Sequence, residues 1–235
     1  MTKAVTHPGA AARVIPPNLR SEWQLSDRIA SYVRELIMSG QVREGEFLRL
    51  EKLAVELGVS ATPVREGLLA LRGEGFVQLA PRRGFVVAAL RRQDVDDLFY
   101  VQAELAGQLA ARAAAQVDSA QLAEIEALQA ALEAVFQTKD IARLEVLNHQ
   151  FHRAINLCAD SSKLTWFLAT AARYAPRTFF GSIPGWQQAS VDDHQTIIQA
   201  LRERDKEEAN RAMQEHILHA GRLLVAHLEK GHLWD

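Results

Sequence analysis

Leu50-Glu51-Lys52-Leu53-Ala54-Val55-Glu56-Leu57-Gly58-Val59-Ser60-Ala61-Thr62-Pro63-Val64-Arg65-Glu66 is the run whose reading decides the fold. Apolar residues at 50, 53, 54 and 57 make one face of a short helix, and Gly58 ends it. Gly58 permits a sharp reversal, Ser60 stands where a hydroxyl caps the next helix, and Pro63 falls in that helix's first turn, where its missing N–H is harmless. Two helices joined by so tight a turn predict a helix-turn-helix. Val64, Leu68 and Leu71 face inward from the second helix. That leaves Ser60, Ala61, Thr62 and Arg65 on its outer face near the N-terminus, where a recognition helix meets base edges. Arg65 is the expected base reader, and Arg49, close to the start of the first helix, is a candidate phosphate contact.

Downstream, Gly73 and Gly75 are expected to break the second helix. Phe76-Val77-Gln78-Leu79 and Gly84-Phe85-Val86-Val87 then flank Ala80-Pro81-Arg82-Arg83 as strand, basic turn and strand. A basic hairpin in this place is a wing, with Arg82, Arg83 and Gly84 as its DNA contacts. Upstream, Leu25, Ile29, Val33, Leu36 and Ile37 predict a helix over 24–39 stopped by Gly40, and Phe47-Leu48-Arg49 predicts a short strand.

Leu53-Ala54, Gly58-Val59-Ser60, Thr62-Pro63-Val64-Arg65-Glu66, Leu71, Gly75 and Pro81-Arg82-Arg83-Gly84, with Gly40 and Gly45 before them, resemble the winged helix of GntR-type bacterial transcription regulators. The resemblance implies sequence-specific binding to double-stranded DNA. The chain departs from the family at Ala61, where an arginine that often reads guanine is usual. Base reading is therefore expected to rest on Arg65, Ser60, Thr62 and the wing.

The 235 residues suffice for two domains, and an apolar content of 48% is that of a globular protein. The single cysteine, Cys158, excludes an intramolecular disulfide framework. No apolar run approaches membrane-spanning length and Met1 to Pro17 lacks the apolar core of a signal peptide, so a cytoplasmic protein with no membrane partner is expected. Charge is divided: residues 1 to 92 hold 14 Lys/Arg against 9 Asp/Glu, and the remainder 13 against 20. The basic half is the half with the helix-turn-helix, where phosphate contacts need it.

The expected fold is mainly α. A disordered arm over 1–18 precedes a winged helix-turn-helix over 19–88, a connector at 89–93 and an antiparallel bundle of about six helices over 94–231. Val95, Leu98, Leu105 and Leu109 stripe the first of these helices, Leu122 to Val135 the second and Leu144 to Ile155 the third. Residues 164–177, 191–203 and 206–229 make the others.

His152, His194 and His216 each fall on the apolar face of their helix. One such histidine is ordinarily a hydrogen-bonded core residue. Three, with Asn148 one turn before His152, compose a donor set for a divalent metal. Asn148-His149-Gln150-Phe151-His152, Asp193-His194-Gln195-Thr196-Ile197 and Ala209 through Met213 to His216 resemble the FCD effector domain of the FadR branch of GntR regulators. That resemblance implies Asn148, His152, His194 and His216 as ligands, with zinc, nickel or manganese indistinguishable, and His149 and His219 as outer or solvent-facing residues. It also implies a homodimer, probing a palindromic operator as a repressor and responding to a small-molecule effector. A metal-dependent hydrolase is the remote alternative, with Asp192, Asp193 or Glu215 as its base.

For the effector, many FCD relatives carry an arginine that anchors a ligand carboxylate, and Tyr100 is read as occupying that position. Trp166, Phe167, Tyr174, Phe179, Phe180 and Trp186 crowd the fourth helix of the bundle and the loop after it. A lipophilic or fatty-acid-like effector is therefore expected among Tyr100, Trp166 and Tyr174, with Arg173 and Arg177 holding an acidic head group. A small organic acid at the metal centre is the alternative.

Overall fold

Gly58 adopts a left-handed φ of 65°, and the Val59 N–H reaches back to the Ala54 carbonyl at 3.0 Å. This stops helix α2 (Leu50–Leu57) and lets α3 (Ala61–Gly73) start after the three residues Gly58, Val59 and Ser60, so the helix-turn-helix forms as expected. Ser60 occupies the N-cap with an extended backbone, but its hydroxyl makes no capping bond. The expected cap is absent, and Pro63 lies buried in the first turn. Gly73 is the last residue of α3 rather than its breaker, and the reversal falls on Gly75, whose φ is 86°.

The computed structural model describes residues 17–81, 83–138, 140–174, 183–231 and 234. Helix α1 (Pro17–Met38) begins seven residues before the expected start, so Pro17 and Asn18 belong to it; the rest of the expected arm lies outside the described residues. Strands β1 (Phe47–Leu48), β2 (Val77–Ala80) and β3 (Gly84–Val87) form an antiparallel sheet of order β1-β3-β2, with Leu48 opposite Phe85 and Ala80 opposite Gly84. Ile29, Val33 and Ile37 of α1, Val64, Leu68 and Leu71 of α3, and Phe85 of β3 close its core. Gly67 lets α3 lie against α1: a Cβ there would stand 2.9 Å from the Ser26 carbonyl oxygen. Arg34 of α1, almost buried, pairs with Glu74 at 2.6 Å.

The second half contains helices α4 (Arg92–Gln116), α5 (Ser119–Thr138), α6 (Ile141–Cys158), α7 (Ser162–Ala172), α8 (Trp186–Glu203) and α9 (Lys206–Lys230) among the described residues. The mainly helical fold with a small N-terminal sheet is thus as the sequence predicts, though α4 starts at Arg92, inside the expected connector. Asp94 explains the earlier start, since its carboxylate accepts from the Arg91 N–H at 2.8 Å and satisfies a donor of the first turn. Helices α4 and α9 lie close because Gly221 leaves room for Phe99; a Cβ at 221 would come within 2.7 Å of that ring. Leu109, Ile125, Phe151, Ile155, Ile197, Leu201 and Met213 of α4, α5, α6, α8 and α9 fill a core, and Leu164 and Leu168 of α7 pack against it. The two halves touch where Phe76 stacks on Tyr174, and the Trp234 indole donates to the Leu90 carbonyl at 2.7 Å. No helix among the described residues is long and apolar enough to cross a membrane.

Candidate metal and DNA-binding sites

The three histidines come from three helices. His152 lies on α6, His194 on α8 and His216 on α9, and one nitrogen of each falls within 4.8 Å of the other two. The stripes that bury Phe151 and Ile155, Ile197 and Ile198, and Ala212 and Met213 carry these imidazoles into the core with them. The Nε2 atoms of His152 and His216 are 3.1 Å apart, while the Nε2 of His194 is buried with no hydrogen-bond partner.

A buried nitrogen left unpaired forfeits its hydration, a loss of about 1–3 kcal/mol that proteins rarely accept without a reason. The outer partners supply one. Gln129 Oε1 lies 2.9 Å from Nδ1 of His194, and Asp193 Oδ2 lies 3.3 Å from Nδ1 of His216 and 3.0 Å from Nδ1 of His219. With Nδ1 protonated toward these acceptors, the Nε2 lone pairs of His194 and His216 face the cluster. Burial, reinforced by His216 and then His149, holds the His152 imidazole well below its ordinary pKa; burial, His216 and His152 do the same for His194. Both are neutral near pH 7, which a metal ligand must be. Burial pushes the Asp193 carboxyl up, but its bonds from His216 and His219 outweigh that and hold it below the usual value.

Two imidazole nitrogens on one ion, each about 2.1 Å from it, stand roughly 3 to 3.4 Å apart. The separation of His152 and His216 fits that spacing. Three imidazole nitrogens therefore suit a divalent ion, zinc or nickel more than manganese, which prefers oxygen donors. Asn148 lies one turn before His152, and its Oδ1 accepts from Ser190 Oγ at 3.0 Å; Ser190 in turn lies one turn before His194. That bond uses one lone pair of the amide oxygen and leaves the other. His219 is the outer residue expected, while His149 is exposed on α6.

Sequence reasoning missed Gln129 and Ser190. Gln129 is 2% exposed between Ile125 and Leu132 on the buried stripe of α5, and a polar residue in such a stripe was the signal available. Ser190 repeats before His194 the one-turn spacing that singled out Asn148.

The effector residues are not gathered as expected. Tyr100 is 59% and Trp166 58% exposed, on the outside of α4 and α7, and Arg173 is exposed at the end of α7. Tyr174 is half-buried against Phe76 of the winged half. Arg177, Phe179 and Phe180 lie outside the described residues, and Trp186 is buried core. Tyr100 therefore faces solvent rather than the interior of the bundle, which corrects its reading as an effector-binding residue there. The inward polar group of that stretch is Gln102, 5% exposed, with its Nε2 unpartnered. An apolar cleft of about 500 Å³ does open where the halves meet, lined by Phe76, Leu90, Val95, Leu98, Val101 and Tyr174 among others.

In the winged half, Ser60, Ala61, Thr62 and Arg65 are exposed at the N-terminal end of α3, and Arg49 is exposed before α2. Arg83 is exposed in the wing turn, its guanidinium 5.8 Å from the centre of the Phe47 ring. Gly84, with φ of 92°, opens β3; Arg82 lies outside the described residues.

Residues 25–87 match the family described as bacterial regulatory proteins, gntR family, and residues 97–219 match the FCD domain. The HTH-type transcriptional repressor RspR of Escherichia coli K12 is 25% identical over 198 residues, 82% of this chain and 86% of that one. The Glc operon transcriptional activator of the same organism is 29% identical over 214 residues, 80% of this chain and 84% of that one. Among solved structures, E. coli McbR/YncC shares the fold with a TM-score of 0.64 at 22% identity, over 85% of this chain and 96% of that one. These families and relatives are regulators of transcription, so the hydrolase alternative is set aside. The FCD match spans more than half of the chain, and with the winged helix ahead of it the protein belongs to the GntR family of transcription regulators that carry an FCD effector domain.

Proposed function

We propose that this regulator acts in the cytoplasm as a two-fold homodimer on a palindromic operator, placing one α3 in the major groove of each half-site with the wing near the adjacent minor groove. A divalent ion held by His152, His194 and His216, with Asn148, sits in the FCD domain and receives the effector. The observation that carries the ion is the partnerless buried Nε2 of His194 beside two further imidazoles. In six-fold coordination three imidazoles and the Asn148 oxygen leave two positions open, so an effector with oxygen donors reaches the ion directly. A small organic acid is thus favoured over the lipophilic effector, because Tyr100 and Trp166 lie on the surface rather than around the histidines.

The lipophilic reading keeps one specific support, the apolar cleft between the halves that Tyr174 borders. Tyr100, Val101, Trp166 and Phe167, exposed on α4 and α7, are the large apolar side chains that pairing of two copies would cover. Repression is the sign proposed, as in the relative named a repressor; the Glc relative is named an activator.

Selection from a random duplex pool by the purified protein tests the core of this reading. A two-fold symmetric consensus is expected, and a pool that stays unstructured would overturn it. Thermal shifts of zinc-loaded protein decide the effector: stabilisation by small hydroxy- or dicarboxylates is expected, and stabilisation by long-chain acids alone moves the site to the cleft. A reporter that loses rather than gains expression on deletion of the regulator reverses the sign.

A further inference from the structure

An amide side chain has two ends that differ only in which atom donates, and its partners decide how it lies. Gln129 meets acceptors on one side: its Nε2 donates to Glu133 Oε1 at 2.9 Å and to the Val191 carbonyl at 3.1 Å. Neither partner has a proton to offer. A flipped amide would turn its oxygen on a carboxylate and a carbonyl, so the Nε2 end is held there and Oε1 is left for His194, 2.9 Å from Nδ1. The geometry points to Gln129 as the positioning residue that sets the His194 tautomer, holding the ring proton on Nδ1 and leaving Nε2 a bare donor for a divalent cation. This rests on the reading of the three imidazoles as a cation site.

Two further contacts make the setting firm. Phe151 stacks on the His194 ring at 3.9 Å between centroids and 11° between planes, which blocks rotation of the imidazole out of line. Glu133 is itself bound by Gln195 Nε2 at 2.5 Å, so the chain of partners runs from the surface through Glu133 and Gln129 to the ion position. The alternative tautomer would place a proton on the Nε2 that faces His152 and His216, and an arriving cation would first have to displace it. Unlike His216, whose outer partner is a carboxylate, His194 is held by a neutral amide, so the polarity of its ring depends wholly on which way Gln129 lies. Outer partners of ligating histidines typically govern affinity by about 10- to 100-fold.

The test uses full-length protein labelled with ¹⁵N in its histidines. Long-range ¹H–¹⁵N spectra of the metal-free wild type report which nitrogen of each ring carries the proton. His194 should show a protonated Nδ1 and a bare Nε2, and a proton on Nε2 would overturn the proposal whatever the variants do. Gln129→Met, which keeps the volume but removes the acceptor, should lose that signature and weaken Zn²⁺ binding about 10- to 100-fold in a chelator competition. Unchanged tautomer and affinity in a folded Gln129→Met protein would equally overturn it. A wild type with the predicted tautomer that takes up no Zn²⁺, Ni²⁺ or Mn²⁺ would refute the cation reading alone and leave the tautomer assignment standing.

Discussion

The Nε2 atoms of His152 and His216 face each other at 3.1 Å across the α6–α9 contact. Only a proton or a cation between two such atoms makes that approach favourable. If the cation is the resident partner, replacing any of His152, His194 or His216 by Ala should lower metal content in elemental analysis. The loss of affinity should exceed the roughly 10- to 100-fold that removal of an outer partner produces. The winged half, whose apolar cluster is separate from the one around the histidines, should keep its circular dichroism and its DNA binding in the absence of effector. Full metal occupancy in a His194→Ala protein would sink the assignment.

Acid should destabilise the metal-free protein. His152 and His194 bind a proton less readily folded than unfolded. Below the unfolded value of about 6.5 the unfolded chain therefore holds more protons, and stability falls with pH down to the lowered folded values. Each imidazole adds up to about 1.4 kcal/mol per pH unit within that window, and nothing above it. Melting temperatures taken from about pH 7.5 down to 5.5 should drop, and His194→Phe should flatten the slope. A wild-type melting temperature that is level across this range would contradict neutral burial of the two rings.

Replacing Arg65 by Ala should weaken operator binding by about 1–3 kcal/mol and relax sequence preference, since it removes a candidate base reader. Arg83→Ala should weaken all sequences alike and lower the salt dependence, as loss of a phosphate contact does. Anisotropy titrations on matched and scrambled duplexes at two salt concentrations separate the two effects. Retained discrimination in the Arg65→Ala protein would remove it from the base-reading set.

Glu74 is the sole carboxylate within ion-pair reach of the Arg34 guanidinium among the described residues, and Arg34 is almost out of solvent. Glu74→Ala should leave that cation stranded over the Phe76 ring and destabilise the winged half by about 3 kcal/mol or more. Urea unfolding followed by circular dichroism measures it, and a shift under about 0.5 kcal/mol would mean that water reaches Arg34 freely.

Much of this molecule is legible in its sequence. Gly58, Pro63 and the leucine stripes dictate α2 and α3 through local geometry, and the imidazoles at 152, 194 and 216 announce themselves by standing in apolar stripes. What local pattern does not carry is rotation of a helix that is small-sided all round. Ala103, Ala106, Ala110, Ala113 and Ala114 widen the apolar face of α4, so whether Tyr100 or Gln102 turns inward is decided by packing against α9, more than a hundred residues away. Gln129 escaped for the same reason, because its partner His194 is 65 positions along the chain. Ser60 shows the reverse failure: the local rule named a cap, and the packed turn left its hydroxyl unused.

The sheet order has a mechanical consequence for DNA reading. Because β3 lies between β2 and β1, the wing is hydrogen-bonded to the strand that leads directly into Arg49 and α2, and Phe47 beneath Arg83 ties the two ends together. The wing and the helix-turn-helix are thus the jaws of one calliper, with a gap set by the register of Leu48 on Phe85. A duplex whose backbone spacing does not suit that gap has to deform to be gripped. Base steps that Arg65 never touches then enter the selectivity through their stiffness alone.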